Sequence, residues 1–460
     1  MKKFYLTINV AALITILCFS MDTFAQKTEE INSKDLLDKY KSITEKIINS
    51  AMNDSEAYNR LGYMCDTYGH RLSGSESLNK ALKWIHNEML KDGLENVKSE
   101  DVMVPHWVRG NEHCELMEPR QSPMRILAQG GSIATPKEGI SAPILVVNSY
   151  EELKEKADLA KGKIVVFNKP WVSYGVNVQF RSTGAIEAAK VGAVAVLIRA
   201  VTPHSMQNPH TGMMVYADSV PKIPLAAIST EDADMLERMY LRGQKPVVHI
   251  YMEAQTLPDA LSYNVMGEIR GTEKPYEIIV LGGHSDSWDV GTGAHDDGGG
   301  CISTWHAVKL LKELGLKPKR TVRAVMFVNE ENGVRGGKAY ADAHKNENTV
   351  LMFEFDSGVF RPDNISYGGD EKILKYLQTF EPLFRQIDSI KIQKGGWGVD
   401  IGPLARQKNI PVMSLGTNDE GKYFWYHHTY TDTFDKIDRK ELNKCIAAIA
   451  LAIYIYSDMP

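Results

Sequence analysis

The sequence has 460 residues, of which 43% are hydrophobic, and its formal net charge is −5. A chain of this length exceeds one ordinary compact domain, so we expect two domains or one large domain with an insertion. The nearly balanced charge, without a basic block, argues against nucleic acid as a partner.

The first 25 residues follow the plan of a secretory signal peptide. Lys2 and Lys3 precede the apolar stretch 10–19, and small or neutral residues lead to Ala25. This stretch is shorter than the ~20 residues of a bilayer span, so cleavage after Ala25 is favoured over a retained anchor. We therefore expect export to the periplasm or the extracellular space, with no stable membrane span.

Four cysteines remain after such a cleavage, too few to form a disulfide scaffold in so long a chain. None of them has the close spacing of a thiolate metal site. We expect packed or singly bridged thiols at Cys65, Cys114, Cys301 and Cys445.

Apolar residues follow two rhythms along the mature chain. Between residues 34 and 95 they recur at helical spacing, interrupted by the polar turn GHRLSGS. From about 130 to 254, short apolar strands alternate with short helices, and a more regular α/β rhythm follows. The pattern predicts an α/β domain formed by residues 26–129 and 256–460, with an inserted domain at residues 130–255.

The region after residue 255 predicts a mostly parallel sheet covered by helices on both faces. EIIVLGG (277–283), TVRAVMFVN, NTVLMFEFD and IPVMSLG are apolar strands, and CISTWHAVKLLKELG is a helix. The apolar run 445–456 is too short to cross a bilayer, so we predict a buried helix there.

Residues of types that can bind metals follow three of these predicted strands. His284 and Asp286 come after the first, Glu330 and Glu331 after the second, and Asp356 ends the third. In open α/β sheets, functional residues gather beyond the carboxyl ends of the strands. Like charges that converge on one crevice repel each other unless a cation neutralises them. The strand ends therefore predict a metal site.

The glycine-rich loop 284–300 and a segment near the C-terminus complete this set with Asp296, Asp297, His427 and His428. The loop segment GTGAHD begins like a dinucleotide fingerprint, but the carboxylate of Asp296 would face the phosphates, which disfavours that site. The motifs of P-loop hydrolases, HExxH proteases and nucleophile-elbow hydrolases do not occur. Nitrogen and carboxylate ligands without thiolate suit zinc, and their number suits two ions that share one carboxylate.

The segments HSDSWDVGTGAHDDGGG, NEEN, FEFDSG and HHTYTDT, in this order, resemble the co-catalytic di-zinc exopeptidases, the clan of bacterial aminopeptidases and glutamate carboxypeptidases. The resemblance implies a three-layer αβα peptidase domain, with a middle segment similar to a protease-associated domain. It implies short peptides as substrates. It leaves open whether the inserted domain shades the cleft or supports a homodimer.

The resemblance also implies two zinc ions per chain and a ligand set for each. His284, Asp296 and Asp356 would hold one ion. Glu331 and His428 would hold the other, and Asp296 would bridge both ions.

Further roles follow from the same resemblance. Glu330 would be the general base for a water that the two ions activate, and Asp286 would accept a hydrogen bond from the His284 imidazole. His427 and, in GWGVDIGPL, Asp400 are predicted to line the substrate pocket. His295 precedes the bridging aspartate, where relatives have other residues, and is expected to pack rather than to bind metal.

Substrate specificity stays open, because the sequence does not place the groups that bind a peptide terminus. Hydrolysis of dipeptides with free termini is the preferred hypothesis, and an aminopeptidase that trims longer peptides is the alternative. A glutaminyl cyclase-like acyltransferase, with the same fold and one zinc ion, is less favoured. So is a non-catalytic receptor-like relative, because all five ligands and the base are present.

Overall fold

The computed structural model describes residues 33–459 and contains two eight-stranded sheets. The predicted signal peptide, residues 1–25, lies outside the described residues. In chain order the strands are β1 (Glu95–Val108), β2 (Glu112–Glu118), β3 (Ser122–Met124), β4 (Ile126–Ala128), β5 (Ile140–Val147), β6 (Ile164–Phe167), β7 (Ala195–Arg199), β8 (Leu225–Ile228), β9 (Val247–Met252), β10 (Gln255–Ile269), β11 (Lys274–His284), β12 (Arg320–Phe327), β13 (Asn348–Glu354), β14 (Arg361–Gly368), β15 (Lys391–Lys394) and β16 (Val412–Asn418).

The helices alternate with these strands. In chain order they are α1 (Ser33–Asn53), α2 (Glu56–Tyr68), α3 (Glu76–Lys91), α4 (Tyr150–Glu155), α5 (Ala157–Ala160), α6 (Tyr174–Lys190), α7 (Thr230–Leu241), α8 (Gly299–Glu313), α9 (Arg335–His344), α10 (Glu371–Gln378), α11 (Glu381–Phe384), α12 (Gly402–Lys408), α13 (Tyr423–Tyr426) and α14 (Arg439–Ser457). An irregular helical turn occupies Ala294–Gly298, and a short 3₁₀ turn occupies Phe434–Lys436.

The first sheet has the strand order β1-β10-β12-β11-β13-β16-β14-β15. Its centre, β12-β11-β13-β16, is parallel, as the continuous apolar runs predicted. The sheet as a whole is mixed, because β10 pairs antiparallel to both β1 and β12, and β14 pairs antiparallel to β16. In β1 most positions are exposed or half-buried, which is typical of antiparallel strands that face solvent on one side.

Helices cover both faces of this central sheet. Successive side chains of a strand point to opposite faces, so Ile279 and Leu281 pack into a core with α8 and α14, whereas Val280 packs with α9 and α12. Helix α14 is capped by Asp438, whose carboxylate accepts hydrogen bonds from the first-turn amides, and its apolar run is buried as predicted. The first sheet is therefore the middle layer of a three-layer αβα unit.

The second sheet has the order β3-β2-β9-β5-β6-β7-β8-β4. Its strands β5 to β8 run parallel, and α7 packs on one face of the sheet and α6 on the other. Its first strand begins at Glu112, before the insertion boundary predicted at residue 130. The apolar rhythm begins only near residue 130, whereas the short strands β2 and β3 alternate polar and apolar residues. We name residues 112–252 the second-sheet unit.

The loop that follows β11 joins the two sheets. Trp288 and Val290 from this loop pack into the core of the second-sheet unit. The indole lies so close to Gly130 that a Cβ there would come within 1.9 Å of the ring, so only glycine fits. Beside it, Arg109 Nε donates to Asp289 Oδ2 at 2.8 Å. The second-sheet unit therefore packs against the loop that connects two predicted metal ligands, His284 and Asp296.

The four cysteines of the described residues are all buried free thiols, so packing rather than bridging accounts for them. No helix within residues 33–459 combines the length and the apolar character that a bilayer crossing requires.

A buried ion network links β1, β12 and the end of α9. His344 Nε2 lies 3.0 Å from Glu100 Oε2, and its Nδ1 lies 3.1 Å from Glu347 Oε2. Burial alone would lower the pKa of His344, but these two hydrogen bonds outweigh it and raise the pKa. The contact with His344 lowers the pKa of Glu100 to about 2. His344 and Arg323 together lower that of Glu347 to about 2, against the effect of burial.

We predict that His344→Gln destabilises the protein in a pH-dependent way. The raised pKa of His344 stabilises the fold fully below pH 6.5, and the effect is lost as the pH rises through the folded-state pKa. The lowered pKa values of Glu100 and Glu347 add stability above about pH 4.5, lost as the pH falls towards 2. Between about pH 4.5 and pH 6.5, the free energy of unfolding of His344→Gln should therefore be about 1–3 kcal/mol lower than that of the unmodified protein.

Denaturant unfolding at about pH 5.5 and about pH 9 measures this effect. His113→Gln, at an exposed histidine, is the matched control and should leave stability unchanged at both pH values. An equal loss for His344→Gln at the two pH values would contradict the charge-based explanation.

Candidate metal centre

The parallel centre of the first sheet brings its predicted site residues to one edge. His284 is the last residue of β11, Glu330 and Glu331 follow β12, and Asp356 follows β13. These three strands are neighbours in register, so their carboxyl ends coincide. Chain segments far apart in the sequence therefore meet in one crevice.

Asp296 lies between the two predicted ligand histidines. Its Oδ1 is 3.2 Å from His284 Nε2, and its Oδ2 is 3.2 Å from His428 Nε2. Asp356 Oδ1 is 3.7 Å from His284 Nε2, and Glu331 Oε2 is 3.0 Å from His428 Nε2. Each imidazole thus has its own second carboxylate, and the two halves share Asp296.

The donor set fits a divalent cation. Glu331 Oε1 and Asp356 Oδ1 are buried and accept no hydrogen bond from the residues that the structure describes, which is costly for a carboxylate. Burial by itself would lower the pKa of His284 and of His428, but the surrounding carboxylates outweigh it and raise both pKa values well above 6.5. The cluster therefore favours positive charge at its centre, and nitrogen and oxygen donors are those of hydrolytic zinc sites.

The hydrogen bond from the His284 imidazole goes to the backbone of Asp286 and not, as expected from the sequence, to its carboxylate. The Nδ1–H of His284 is donated to the backbone carbonyl of Asp286 at 3.0 Å, whereas the Asp286 carboxylate is 3.9 Å away. That carboxylate accepts hydrogen bonds from the backbone amides of Glu330 at 3.1 Å and Glu331 at 3.3 Å. The Ser73 hydroxyl donates to it at 3.2 Å. Asp286 therefore fixes the segment that carries the predicted base and a predicted ligand.

Asp432 holds the turn that presents Asp296, a role that the sequence did not reveal. Its carboxylate accepts hydrogen bonds from the amides of Ala294 at 3.1 Å, His295 at 2.8 Å and Asp296 at 3.2 Å. Burial raises the pKa of Asp432 to about 7 despite these donors. The only sequence signal was its place in the segment HTYTDT, four residues after His428.

Arg71 also binds this loop, and its role was not identified from the sequence. Its side chain is fully buried and donates to the carbonyl oxygens of Ser285 at 2.8 Å, Thr292 at 2.6 Å and Gly293 at 2.9 Å. In the sequence it lies in GHRLSGS, which has the composition of a solvated turn. Such contacts join residues more than 200 positions apart, so local composition carries no signal for them.

A cleft of about 570 Å³ opens beside the cluster. Apart from the predicted ligands and Glu330, its charged lining consists of Arg181 and Asp419. Arg181 comes from α6 of the second-sheet unit, and its Nη2 donates to the Tyr174 hydroxyl at 2.8 Å. The remaining walls are largely aromatic and include Tyr174, Trp397, Tyr423 and Phe424. The cleft thus combines a cation, an anion and an apolar wall beside the metal cluster.

Three other predicted residues have distinct positions. His427 lines the cleft, with its ring stacked on His428 at a centroid distance of 3.6 Å and its Nε2 3.7 Å from Asp296 Oδ2. Asp400, predicted to line the pocket, is 1% exposed and lies behind the cleft wall rather than in it. His295 stacks between two aromatic rings at 4.5 and 5.3 Å, a packing role.

Known proteins are similar to this chain over most of its length. The model of Peptidase family M28 matches residues 264–453. Carboxypeptidase Q of Mus musculus is 43% identical over 445 residues, which cover 96% of this chain and 93% of its own length. Carboxypeptidase Q of Xenopus laevis is 42% identical over 466 residues, which cover 100% of this chain and 99% of its own.

Solved structures agree with these matches. The peptidase M28 precursor of Shewanella amazonensis SB2B has a TM-score of 0.88 at 32% identity, and the match covers 92% of this chain and 97% of that one. BSAP, a zinc aminopeptidase from Bacillus subtilis, has a TM-score of 0.67 at 20% identity over 87% of this chain and 94% of that one, a likeness in fold.

We predict that Asp432→Asn weakens zinc binding by about 10–100-fold, because an amide nitrogen would replace one of the oxygens that hold the Asp296 turn. Competition between the protein and a zinc chelator measures this affinity. Asp435→Asn, three residues away and exposed, is the control and should bind zinc like the unmodified protein. Unchanged affinity in a folded Asp432→Asn variant would show that the turn does not depend on this carboxylate.

Proposed function

The chain belongs to peptidase family M28 and is a zinc metallo-exopeptidase, and from this premise we propose that it hydrolyses dipeptides with free termini. The observation that carries the proposed catalytic centre is the shared carboxylate of Asp296, 3.2 Å from His284 Nε2 on one side and from His428 Nε2 on the other. Such an arrangement supports a centre of two zinc ions rather than one.

In this proposal His284 and Asp356 would hold one zinc ion, Glu331 and His428 would hold the other, and Asp296 would serve as a ligand in both sets. When bound, the ions supply Lewis acidity, which lowers the pKa of a water molecule and polarises the scissile carbonyl group. Two ligand sets around one bridge disfavour a one-zinc acyltransferase. A full set of ligands also disfavours a non-catalytic relative.

Glu330 is proposed as the general base. Its carboxylate lines the cleft beside the ligands, and its backbone amide is held by Asp286. Removal from water raises the pKa of Glu330 well above 4.5, and repulsion from Glu331 and Asp356 raises it further. A carboxylate with a raised pKa accepts a proton from the attacking water and then gives it to the leaving amine. Neighbouring positive charge, such as His284, opposes this shift.

His427 is proposed to contact the substrate as a neutral imidazole. Burial and the adjacent His428 lower the pKa of His427 well below 6.5. A neutral ring in the cleft offers one N–H donor to the reacting carbonyl oxygen without competing with the cations for the carboxylates.

The charges at the cleft support free termini on the substrate. Arg181 lines the cleft, and a guanidinium is a suitable partner for the carboxylate of a substrate. Its Nη1 lies 3.4 Å from His428 Nδ1, directly behind the proposed metal ligand. Asp419 is the remaining cleft carboxylate and suits the substrate ammonium group.

The second-sheet unit, which contributes Arg181, is proposed to be an inserted protease-associated domain. Its parallel strands and its position between β1 and β10 support this assignment.

We predict that Glu330→Gln lowers kcat by about 10²–10⁴-fold, because the amide cannot accept the proton of the attacking water. Zinc content and melting temperature should stay those of the unmodified protein, because Gln keeps the size of the side chain. Glu371→Gln, at an exposed position, is the matched control. Turnover within a few-fold of normal would remove Glu330 from the base role.

We predict that the enzyme cleaves a dipeptide faster than its C-terminal amide and that Arg181→Met abolishes this preference. The loss should appear as a higher KM for the free dipeptide at unchanged zinc content. Arg242→Met, an exposed arginine of the same unit, is the control. Stepwise trimming of a pentapeptide from its N-terminus, read by mass spectrometry, would instead support the aminopeptidase alternative.

A further inference from the structure

We propose that the second-sheet unit forms part of the metal centre, because the backbone of its residue Thr211 clamps His428 and sets which imidazole nitrogen faces the cluster. The inference rests on the proposed role of His428 as a zinc ligand. It makes Thr211 a positioning residue, with no contact to the reacting atoms.

The clamp consists of two reciprocal hydrogen bonds. The backbone amide of Thr211 donates to the carbonyl oxygen of His428 at 3.0 Å, and the Thr211 carbonyl lies 3.1 Å from His428 Nδ1. His428 has a φ of 61°, in the left-handed region that side-chain-bearing residues seldom adopt. Such a conformation persists where surrounding contacts hold it, and the Thr211 backbone supplies contacts on both the main chain and the ring.

The same contact fixes the tautomer of His428. A carbonyl oxygen only accepts, so Nδ1 carries a hydrogen, and Nε2 is the nitrogen that faces Asp296 and Glu331 and would bind the cation. The guanidinium of Arg181 lies on the same side of the ring, where its Nη1 donates to the Thr211 carbonyl at 3.3 Å and lies 3.4 Å from His428 Nδ1. A donor on that side of the ring would not accept a hydrogen from Nδ1, so the carbonyl is the group that orients the imidazole.

Thr211 itself is anchored by Ala128 of the second-sheet unit and by Arg109, which precedes the unit. Its hydroxyl donates to the carbonyl of Ala128 at 2.9 Å and accepts a hydrogen bond from Arg109 Nη2 at 3.2 Å. The side chain is completely buried. Next to it, Gly212 has a φ of 143°, and a Cβ there would lie 2.2 Å from Arg181 Nη1. The backbone path at 211–212 thus depends on a buried hydroxyl and on the absence of a side chain.

The two halves of the metal centre are consequently held in different ways. His284 is oriented by the carbonyl of Asp286, two residues along the same loop, whereas His428 is oriented by a carbonyl 217 positions away. Disturbing the second-sheet unit at Thr211 should therefore weaken the zinc position of His428 and spare that of His284.

The test compares Thr211→Val, which removes the hydroxyl and keeps the shape, with Thr211→Ser, which keeps the hydroxyl. The metal-free proteins are titrated with Zn²⁺ in the presence of a competing chelator. Thr211→Val should bind one of two zinc ions about 10–100-fold more weakly, whereas Thr211→Ser should bind both normally. If Thr211→Val does not fold, Gly212→Ala takes its place with the same expected loss.

A double-mutant cycle with His428→Ala isolates the contact. Thr211→Val should add no further loss of zinc affinity in the His428→Ala background. Normal zinc binding by folded Thr211→Val and Gly212→Ala, or an equal added loss in the His428→Ala background, would overturn this inference alone. Normal zinc binding by His428→Ala would instead overturn the proposed ligand set and, with it, this inference.

Discussion

Mutual repulsion among the carboxylates of the candidate metal centre is the main physical constraint on this structure. Glu330, Glu331 and Asp356 follow neighbouring strands and converge with Asp296 of the irregular turn Ala294–Gly298, and all four are buried or half-buried. Such a cluster is unfavourable by itself and becomes favourable when divalent cations occupy its centre. The parallel register of β12, β11 and β13 creates the convergence, and the buried supports Asp432 and Arg71 keep the connecting loop from moving away from it.

The second-sheet unit is tightly joined to this centre. Trp288, in the loop that follows β11, packs against Gly130 in the core of the second-sheet unit. The backbone of Thr211, from the same unit, forms a hydrogen bond with His428. Arg181 of the same unit lines the cleft. An arrangement of this kind gives the unit two proposed tasks, orienting a ligand and offering a cation to the substrate. It also explains why the cleft lies at the junction of the two sheets, a common position for ligand sites.

The sequence predicted the parts of the site that depend on local rules. Apolar strands ending in His284, Glu331 and Asp356 could be recognised because parallel strands share one functional edge. Asp432, Arg71 and Thr211 could not, because their partners lie far away in the chain and their own segments have the composition of ordinary turns. The early start of the second sheet escaped notice for a related reason, since β2 and β3 lack continuous apolar runs. The acceptor for His284 was expected in a side chain, and a backbone carbonyl performs that task.

The central claim is that two cations share the Asp296 carboxylate. The most direct measurement is a crystal structure of the zinc-loaded protein, with diffraction data collected on both sides of the zinc absorption edge. The account predicts two anomalous peaks flanking Asp296, one beside His284 Nε2 and the other beside His428 Nε2. A single peak, or zinc bound away from these two imidazoles, would contradict it.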